Sequence, residues 1–225
     1  MSNPDTANVT ITDIQIQTRR NDRVNVYVNG YYRFSLGVMI AAGLRKGQSI
    51  SETRLQELAA ADQQSEAFQK AVRFLGIRPR SEKEIRIYLK KKEFHRDAID
   101  RAVERLKEYN YLDDEAFARS FVDHRMRFCP RSSVHLRAEL KDKGVCDTTV
   151  DQLIKAFDES DSAWNSVRRN LHRWNHLSAQ EFKRKVYAFL SRKGFRYETC
   201  RNVYERACQH REDTSDGTVR AIFKR

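Results

Sequence analysis

The chain repeats itself at intervals of about 51 residues. Pro79-Arg80-Ser81 leads to Ile85, Leu89 and Lys92, and Pro130-Arg131-Ser132 leads to Leu136, Leu140 and Lys143, each 51 positions later. Val186, Leu190 and Lys193 follow roughly 50 further on. After each lysine the apolar residues recur with one spacing: Ile99, Ala102, Val103, Leu106; then Val150, Leu153, Ile154, Phe157; then Cys200, Val203, Tyr204, Ala207. Steps of three and four residues form the buried stripe of an amphipathic helix. A repeat of this length cannot bury its apolar face alone, so it must pack against its neighbours in a helical array.

Each repeat divides into three helices. The spacing predicts them at about 62–76, 81–92 and 96–109, at 113–127, 132–143 and 147–158, and at 161–175, 179–193 and 197–211. Ser81 with Glu84 and Ser178 with Glu181 have the pattern of capping boxes. Asp113-Asp114-Glu115 places carboxylates at a helix start, where they accept free N–H groups. Lys143-Gly144 and Lys193-Gly194 put a cation in a last turn and a glycine at the closing left-handed position.

Ahead of the repeats the period changes to two. Val9, Ile11, Ile14 and Ile16, then Val24, Val26 and Val28, alternate with polar residues, and Asn29-Gly30 is a strong hairpin turn signal. These residues predict a three-stranded meander whose apolar face rests on the following helix. A short helix from Ser35 to Ala42, a loop through Gly43 and Gly47, and a helix from Ser51 to Ala61 complete the segment. The expected organisation is a disordered N-terminus (1–8), a small β-meander with short helices (9–60), three-helix repeats at 61–110, 111–159 and 160–211, and a polar tail (212–225). The expected fold is mainly α: an elongated tandem array of three three-helix repeats with a small β-rich N-terminal segment.

The charge of +12 is unevenly spread, with a net of +2 over residues 1–77, +4 over 78–150 and +6 over 151–225. Positive charge that tracks the repeats points to a polyanionic partner. Lys90, Lys91 and Lys92 close one helix, Lys141 and Lys143 its counterpart, and Arg192 and Lys193 the third. A cation in the last turn suits the helix dipole, which accounts for Lys92, Lys143 and Lys193 but not for Lys90, Lys91, Lys141 or Arg192. These residues, with Arg131, are the candidate nucleic-acid-binding or filament-binding groups. The sequence has no phosphate-binding glycine loop, zinc-protease motif or nucleophile elbow. We therefore expect no catalytic residues, cofactor or metal. Four cysteines at unrelated spacings, no signal-peptide pattern and no apolar run near 18 residues predict a reduced, cytoplasmic protein away from the membrane.

Arg80-Ser81-Glu82-Lys83-Glu84-Ile85, Leu89-Lys90-Lys91-Lys92, Tyr111-Leu112-Asp113-Asp114-Glu115-Ala116-Phe117-Ala118-Arg119 and Leu140-Lys141-Asp142-Lys143-Gly144-Val145 together resemble the RecX family of recombination regulators. The match is strong over 65–158 and looser to about 211, and the N-terminal meander is similar to an extension on some members. The resemblance implies a bacterial, non-enzymatic protein of the SOS and DNA-repair system. It implies binding to the RecA recombinase filament on single-stranded DNA, as a monomer, with inhibition of its ATPase, strand-exchange and co-protease activities. The alternative is a stand-alone DNA-binding protein using helix-turn-helix-like repeats. This sequence departs from the family pattern at Glu93, where a glycine usually stands, and at Glu181-Phe182, where the other repeats have Arg-Ser.

The repeat register makes Leu89 and Leu140 equivalent core positions. Replacing Leu140 by alanine should therefore cost about 2–5 kcal/mol in urea denaturation; a loss below about 0.5 kcal/mol would contradict the assigned face.

Overall fold

The computed structural model describes residues 8–222, with side chains described through Glu212. The chain divides into two compact units, residues 1–112 and 113–225. The expected disordered N-terminus falls on residues 1–7, outside the described part, and Asn8 already belongs to a strand.

Unit one begins with an antiparallel sheet. Its strands are β1 (Asn8–Ile16), β2 (Arg23–Val28) and β3 (Tyr31–Gly37), followed by a short helix α1 (Val38–Ala41) and a fourth strand β4 (Ser49–Ser51). The order is β3-β2-β1-β4. Asn29 and Gly30 both take positive φ, 51° and 88°, in the two-residue turn that pairs Val28 with Tyr31. The strand alternation buries Ile11, Val24, Val26, Val28 and Leu36 together with Ile50 and Leu55. β4 was not legible as a strand because three residues are too few to show alternation. It pairs Ser49 with Thr10 and Ser51 with Asn8.

Ser51 then caps the next helix, accepting a hydrogen bond from the Arg54 amide. That helix, α2, runs unbroken from Glu52 to Leu75, where the sequence suggested two helices meeting at Asp62. No proline or glycine interrupts it, and Asp62 is engaged elsewhere. Its carboxylate receives the Arg23 guanidinium of β2 at 2.6 Å and the Gly37 amide at 2.7 Å. Arg23 also reaches Glu66 at 3.3 Å and the Ser35 carbonyl at 2.8 Å. Both side chains of the Arg23–Asp62 pair are more than nine-tenths buried, so Arg23 is the counter-charge of Asp62, while Arg23 itself is shared between Asp62 and the less buried Glu66.

The first half of α2 packs on the sheet through Leu55. The second half supplies Ala67 and Ala71 to the core of repeat one, with α3 (Glu82–Lys91) and α4 (Arg96–Glu108). Ile99, Ala102, Val103 and Leu106 are all buried, as the stripe requires. Ser81 and Glu84 form the expected capping box.

Unit two holds repeats two and three. α5 (Asp114–Phe128), α6 (Ser133–Asp142) and α7 (Asp147–Ala156) enclose Phe117, Ala118, Val122, Leu140, Val145 and Val150. Asp113 caps α5, accepting from the amides of Glu115 (2.8 Å) and Ala116 (3.0 Å). Repeat three contains α8 (Glu159–Arg168), α9 (Leu171–Trp174), α10 (Ala179–Arg192) and α11 (Tyr197–Ile222). The single helix expected over 161–175 is broken at Asn170, whose side chain binds the Ser166 carbonyl instead of leaving the helix regular. Leu171 and Trp174 still reach the core. α10 has 14 residues against 10 in α3 and α6. The extra turn lies at its start, which explains Glu181-Phe182: Ser178 takes over the cap in a full capping box, and Phe182 enters the core where the other repeats already have their capping serine. The expected polar tail from 212 is, through Ile222, a continuation of α11. Arg211 anchors that helix at the carbonyls of Asn175 and Leu177, both 3.0 Å away.

The joint between the second and third helix of each repeat has one geometry. Glu93, Gly144 and Gly194 take φ of 64°, 85° and 82°. In each, the next amide bonds back over the turn: Phe94 to the Leu89 carbonyl, Val145 to Leu140, and Phe195 to Leu190, at 3.3, 3.1 and 3.2 Å. These are Schellman closures, which satisfy carbonyls that the helix leaves free. Gly194 is further constrained, because a Cβ there would lie 2.6 Å from the His135 ring and 2.7 Å from Ser132 Oγ.

Two predictions follow from these contacts. At equivalent positions, substitutions should have opposite signs. Glu93→Gly removes a left-handed penalty of about 1–2 kcal/mol against a glycine entropy cost of about 0.5–1 kcal/mol, and should raise the melting temperature. Gly194→Ala adds that penalty and a collision, and should lower it; equal shifts for the two would contradict the shared closure. Asp62→Ala removes the shorter of the two carboxylate contacts of the buried Arg23 and should cost up to about 3–5 kcal/mol in chemical denaturation, whereas a loss under about 1 kcal/mol would mean that Glu66 alone suffices as its counter-charge.

Candidate functional site

The basic residues singled out by the repeat sit at the carboxyl ends of α3, α6 and α10. Their environments differ. Lys90 and Lys91 are exposed in the last turn of α3, and neither has an ion-pair partner among the described residues. Lys92 is also exposed, with its ammonium 6.0 Å from the Tyr88 ring centre. Lys141 pairs with Asp147 at 2.9 Å, with both side chains largely in solvent. Such a pair contributes little, about 0–1 kcal/mol, and is readily exchanged for another anion. Lys143 is half-buried and closes α6. Arg192 is exposed at the end of α10, again without an ion-pair partner among the described residues.

Lys193 differs from the others. It is half-buried, its ammonium donates to the Pro130 carbonyl at 3.1 Å, and it lies 5.3 Å from the Phe189 ring. Its own carbonyl accepts from the Ser132 amide at 3.3 Å and contacts the His135 ring at 2.8 Å. Lys193 therefore joins the end of α10 to the start of α6. Burial lowers its pKa, and the neighbouring Arg131 and Arg169 add to that shift. Arg169 turns onto the carbonyls of Arg127 and Phe128, the latter at 3.2 Å, at the end of α5. The result is a local concentration of cations around residues 127–131. Arg131 is half-buried and makes no ion pair among the described residues.

A second repeated feature escaped the sequence reading. Arg86 of α3 pairs with Asp100 of α4, and Arg137 of α6 pairs with Asp151 of α7. Both members shift by 51 residues, so the signal was present in the same register that located the leucines. Arg86 also binds Glu82 at 2.7 Å, and Lys107 reaches that carboxylate at 2.6 Å. Burial opposes ionisation of Glu82, but hydrogen bonds from Lys107 and Arg86 hold its pKa below the usual value. The Arg86 hydrogen bond lowers the Asp100 pKa as well. These arginines are committed to helix pairing, which separates them from Lys90, Lys91 and Arg192, which make no ion pair among the described residues.

Tyr109 and Tyr111 are exposed, with ring centres 6.1 Å apart, and Tyr109 lies 5.8 Å from Phe68. No three His, Cys, Asp or Glu side chains among the described residues converge as a metal site. No helix among them is long and apolar enough to cross a membrane.

Comparison with known proteins covers nearly the whole chain. Residues 9–51 match the regulatory protein RecX N-terminal domain, 67–106 the first RecX three-helix domain, 113–154 the second and 158–204 the third. Regulatory protein RecX of Bacillus licheniformis is 32% identical over 221 residues, spanning 96% of this chain and 82% of that protein. That of Bacillus subtilis is 30% identical, over 93% and 82%. A crystal structure of regulatory protein RecX shares the fold with a TM-score of 0.62 and 23% identity, covering 88% of this chain and 99% of that one. RecX from Lactobacillus salivarius superposes with a TM-score of 0.56 and 22% identity, over 66% and 99%. Four domain matches in chain order, on a fold whose three repeats share one helix closure, place this chain in the RecX family of regulatory proteins.

Proposed function

We propose that this protein binds the RecA recombinase filament on single-stranded DNA and restrains its ATP hydrolysis, strand exchange and co-protease activity. Family membership across all four domains is the observation that carries this reading. The helix ends supply the contact chemistry. Lys90, Lys91 and Arg192 are exposed and have no ion-pair partner among the described residues, Lys141 is paired with the solvent-exposed Asp147, and Arg131 adds a cation beside Lys193. Such groups fit phosphate or an acidic protein surface. Lys92, Lys143 and Lys193 serve first to close their helices, and Lys193 is additionally spent on Pro130. In this reading the protein acts without catalysis or a cofactor, as a cytoplasmic monomer that bridges filament protomers and resists the motions of nucleotide turnover.

The test uses a variant with Lys90, Lys91, Lys141 and Arg192 all changed to glutamate. None of these side chains terminates its helix, so circular dichroism should show the parental fold. Recombinase ATP hydrolysis on single-stranded DNA should fall when the parent is added and recover with the variant. Co-sedimentation of the variant with filaments should drop most at low salt, because exposed charges are screened over about 8–10 Å near physiological ionic strength. A folded variant that binds and inhibits like the parent would remove these residues from the interface. A parent with no effect on hydrolysis would overturn the proposed function itself.

A further inference from the structure

The third repeat abandons the arginine–aspartate pair that the first two share. Shifting Arg137 and Asp151 by the 50 residues that relate Leu140 to Leu190 lands on Tyr187 and Arg201. Arg201 turns to Glu205 on its own helix at 3.0 Å. Tyr187 of α10 instead meets two tyrosines of α11, Tyr197 at 5.5 Å and Tyr204 at 5.9 Å between ring centres. Lys183, one turn before Tyr187, holds its ammonium 6.0 Å from the Tyr187 ring and 5.9 Å from the Tyr204 ring. Tyr204 is backed by the buried Phe182 at 5.9 Å.

The surroundings are strongly positive. Residues 179–205, which cover both helices at this face, carry seven basic side chains, Lys183, Arg184, Lys185, Arg192, Lys193, Arg196 and Arg201, against three carboxylates, Glu181, Glu198 and Glu205; Glu181 is spent on the Ser178 cap and Glu205 on Arg201. Tyr197 is 70% exposed, with its ring tilted by 51° to that of Tyr187, so much of the residue faces solvent. Where repeats one and two close this position with an arginine–aspartate ion pair, repeat three presents an aromatic step flanked by an excess of cations. Aromatic faces take up unpaired bases regardless of sequence, and flanking cations hold the phosphates. A duplex offers no such exposed base faces.

We propose that the α10–α11 face of the third repeat is a single-stranded nucleic-acid platform, with Tyr197 stacking a base beside Tyr187 while Lys183 and its basic neighbours hold the backbone. The inference deepens the filament reading by assigning this chain a strand contact of its own. Fluorescence anisotropy of a labelled oligothymidylate, compared with a duplex of equal length, tests it on the full chain. Tyr197→Leu should weaken single-strand binding about tenfold, the scale of losing one stacked base, while duplex binding stays within about twofold. Tyr197→Trp should retain or improve binding. Photo-cross-linking of the unaltered protein to a 5-bromouracil oligonucleotide should label the peptide that holds Tyr197, a readout independent of any variant's folding. Equal single-strand affinity for parent and Tyr197→Leu, a parallel loss on duplex, or cross-links confined to other peptides would each overturn the platform. Inhibition of recombinase ATP hydrolysis by the parent is read separately. The platform can thus fail while the regulatory reading stands, and the reverse.

Discussion

The left-handed residue after the second helix of each repeat is the constraint on which the architecture turns. A helix that ends without it leaves its last carbonyls unsatisfied and sends the chain in no fixed direction. Here the closure at Glu93, Gly144 and Gly194 returns the next amide to the same structural carbonyl each time, that of Leu89, Leu140 or Leu190. The leucine that supplies this carbonyl is also a fully buried core residue. One position therefore sets both the depth of the second helix and the heading of the third. The lysine before the turn adds a charge at the negative end of the helix.

Much of this was legible in the sequence, because the repeat reports burial, capping and closure in one register. The leucines and the closing lysines survive a shift of 50 or 51 residues through all three repeats, the capping serine survives it from the first to the second, and Asn29-Gly30 marks its hairpin unaided. Two of the misses share a cause: each depended on a partner distant in sequence. Asp62 looked like a helix start because aspartate favours that place; only Arg23, 39 residues earlier, shows that its carboxylate is occupied. β4 is strand only because β1 lies beside it. The functional candidates were read from charge and repeat position, which set Lys193 apart from Lys91 as a helix-closing residue but could not show that its ammonium is folded against Pro130.

The third repeat shows how far a unit can drift while keeping its closure. It lengthens α10 by a turn, breaks its first helix at Asn170, and exchanges an ion pair for tyrosines, yet Gly194 and Phe195 make the same turn as their counterparts. Its tolerance has a physical origin. The residues that fix the backbone lie at the joint, whereas those that changed lie on the outer surface or at the helix start. Gly194 is also held sterically, because the His135 ring and Ser132 hydroxyl fill the space where a side chain would stand.

The continuity of α2 bears on what counts as a module in this chain. The family matches place a boundary between residues 51 and 67, at the passage from sheet domain to first repeat. No hinge exists there: a single 24-residue rod serves the sheet with one end and the repeat with the other. At a rise of about 1.5 Å per residue it spans about 36 Å, and the Arg23–Asp62 clamp grips it near the middle. Torque on the sheet would therefore be transmitted along the rod into the core of repeat one. The N-terminal extension behaves mechanically as a handle on that repeat, and a truncation at the modular boundary would cut through the shaft.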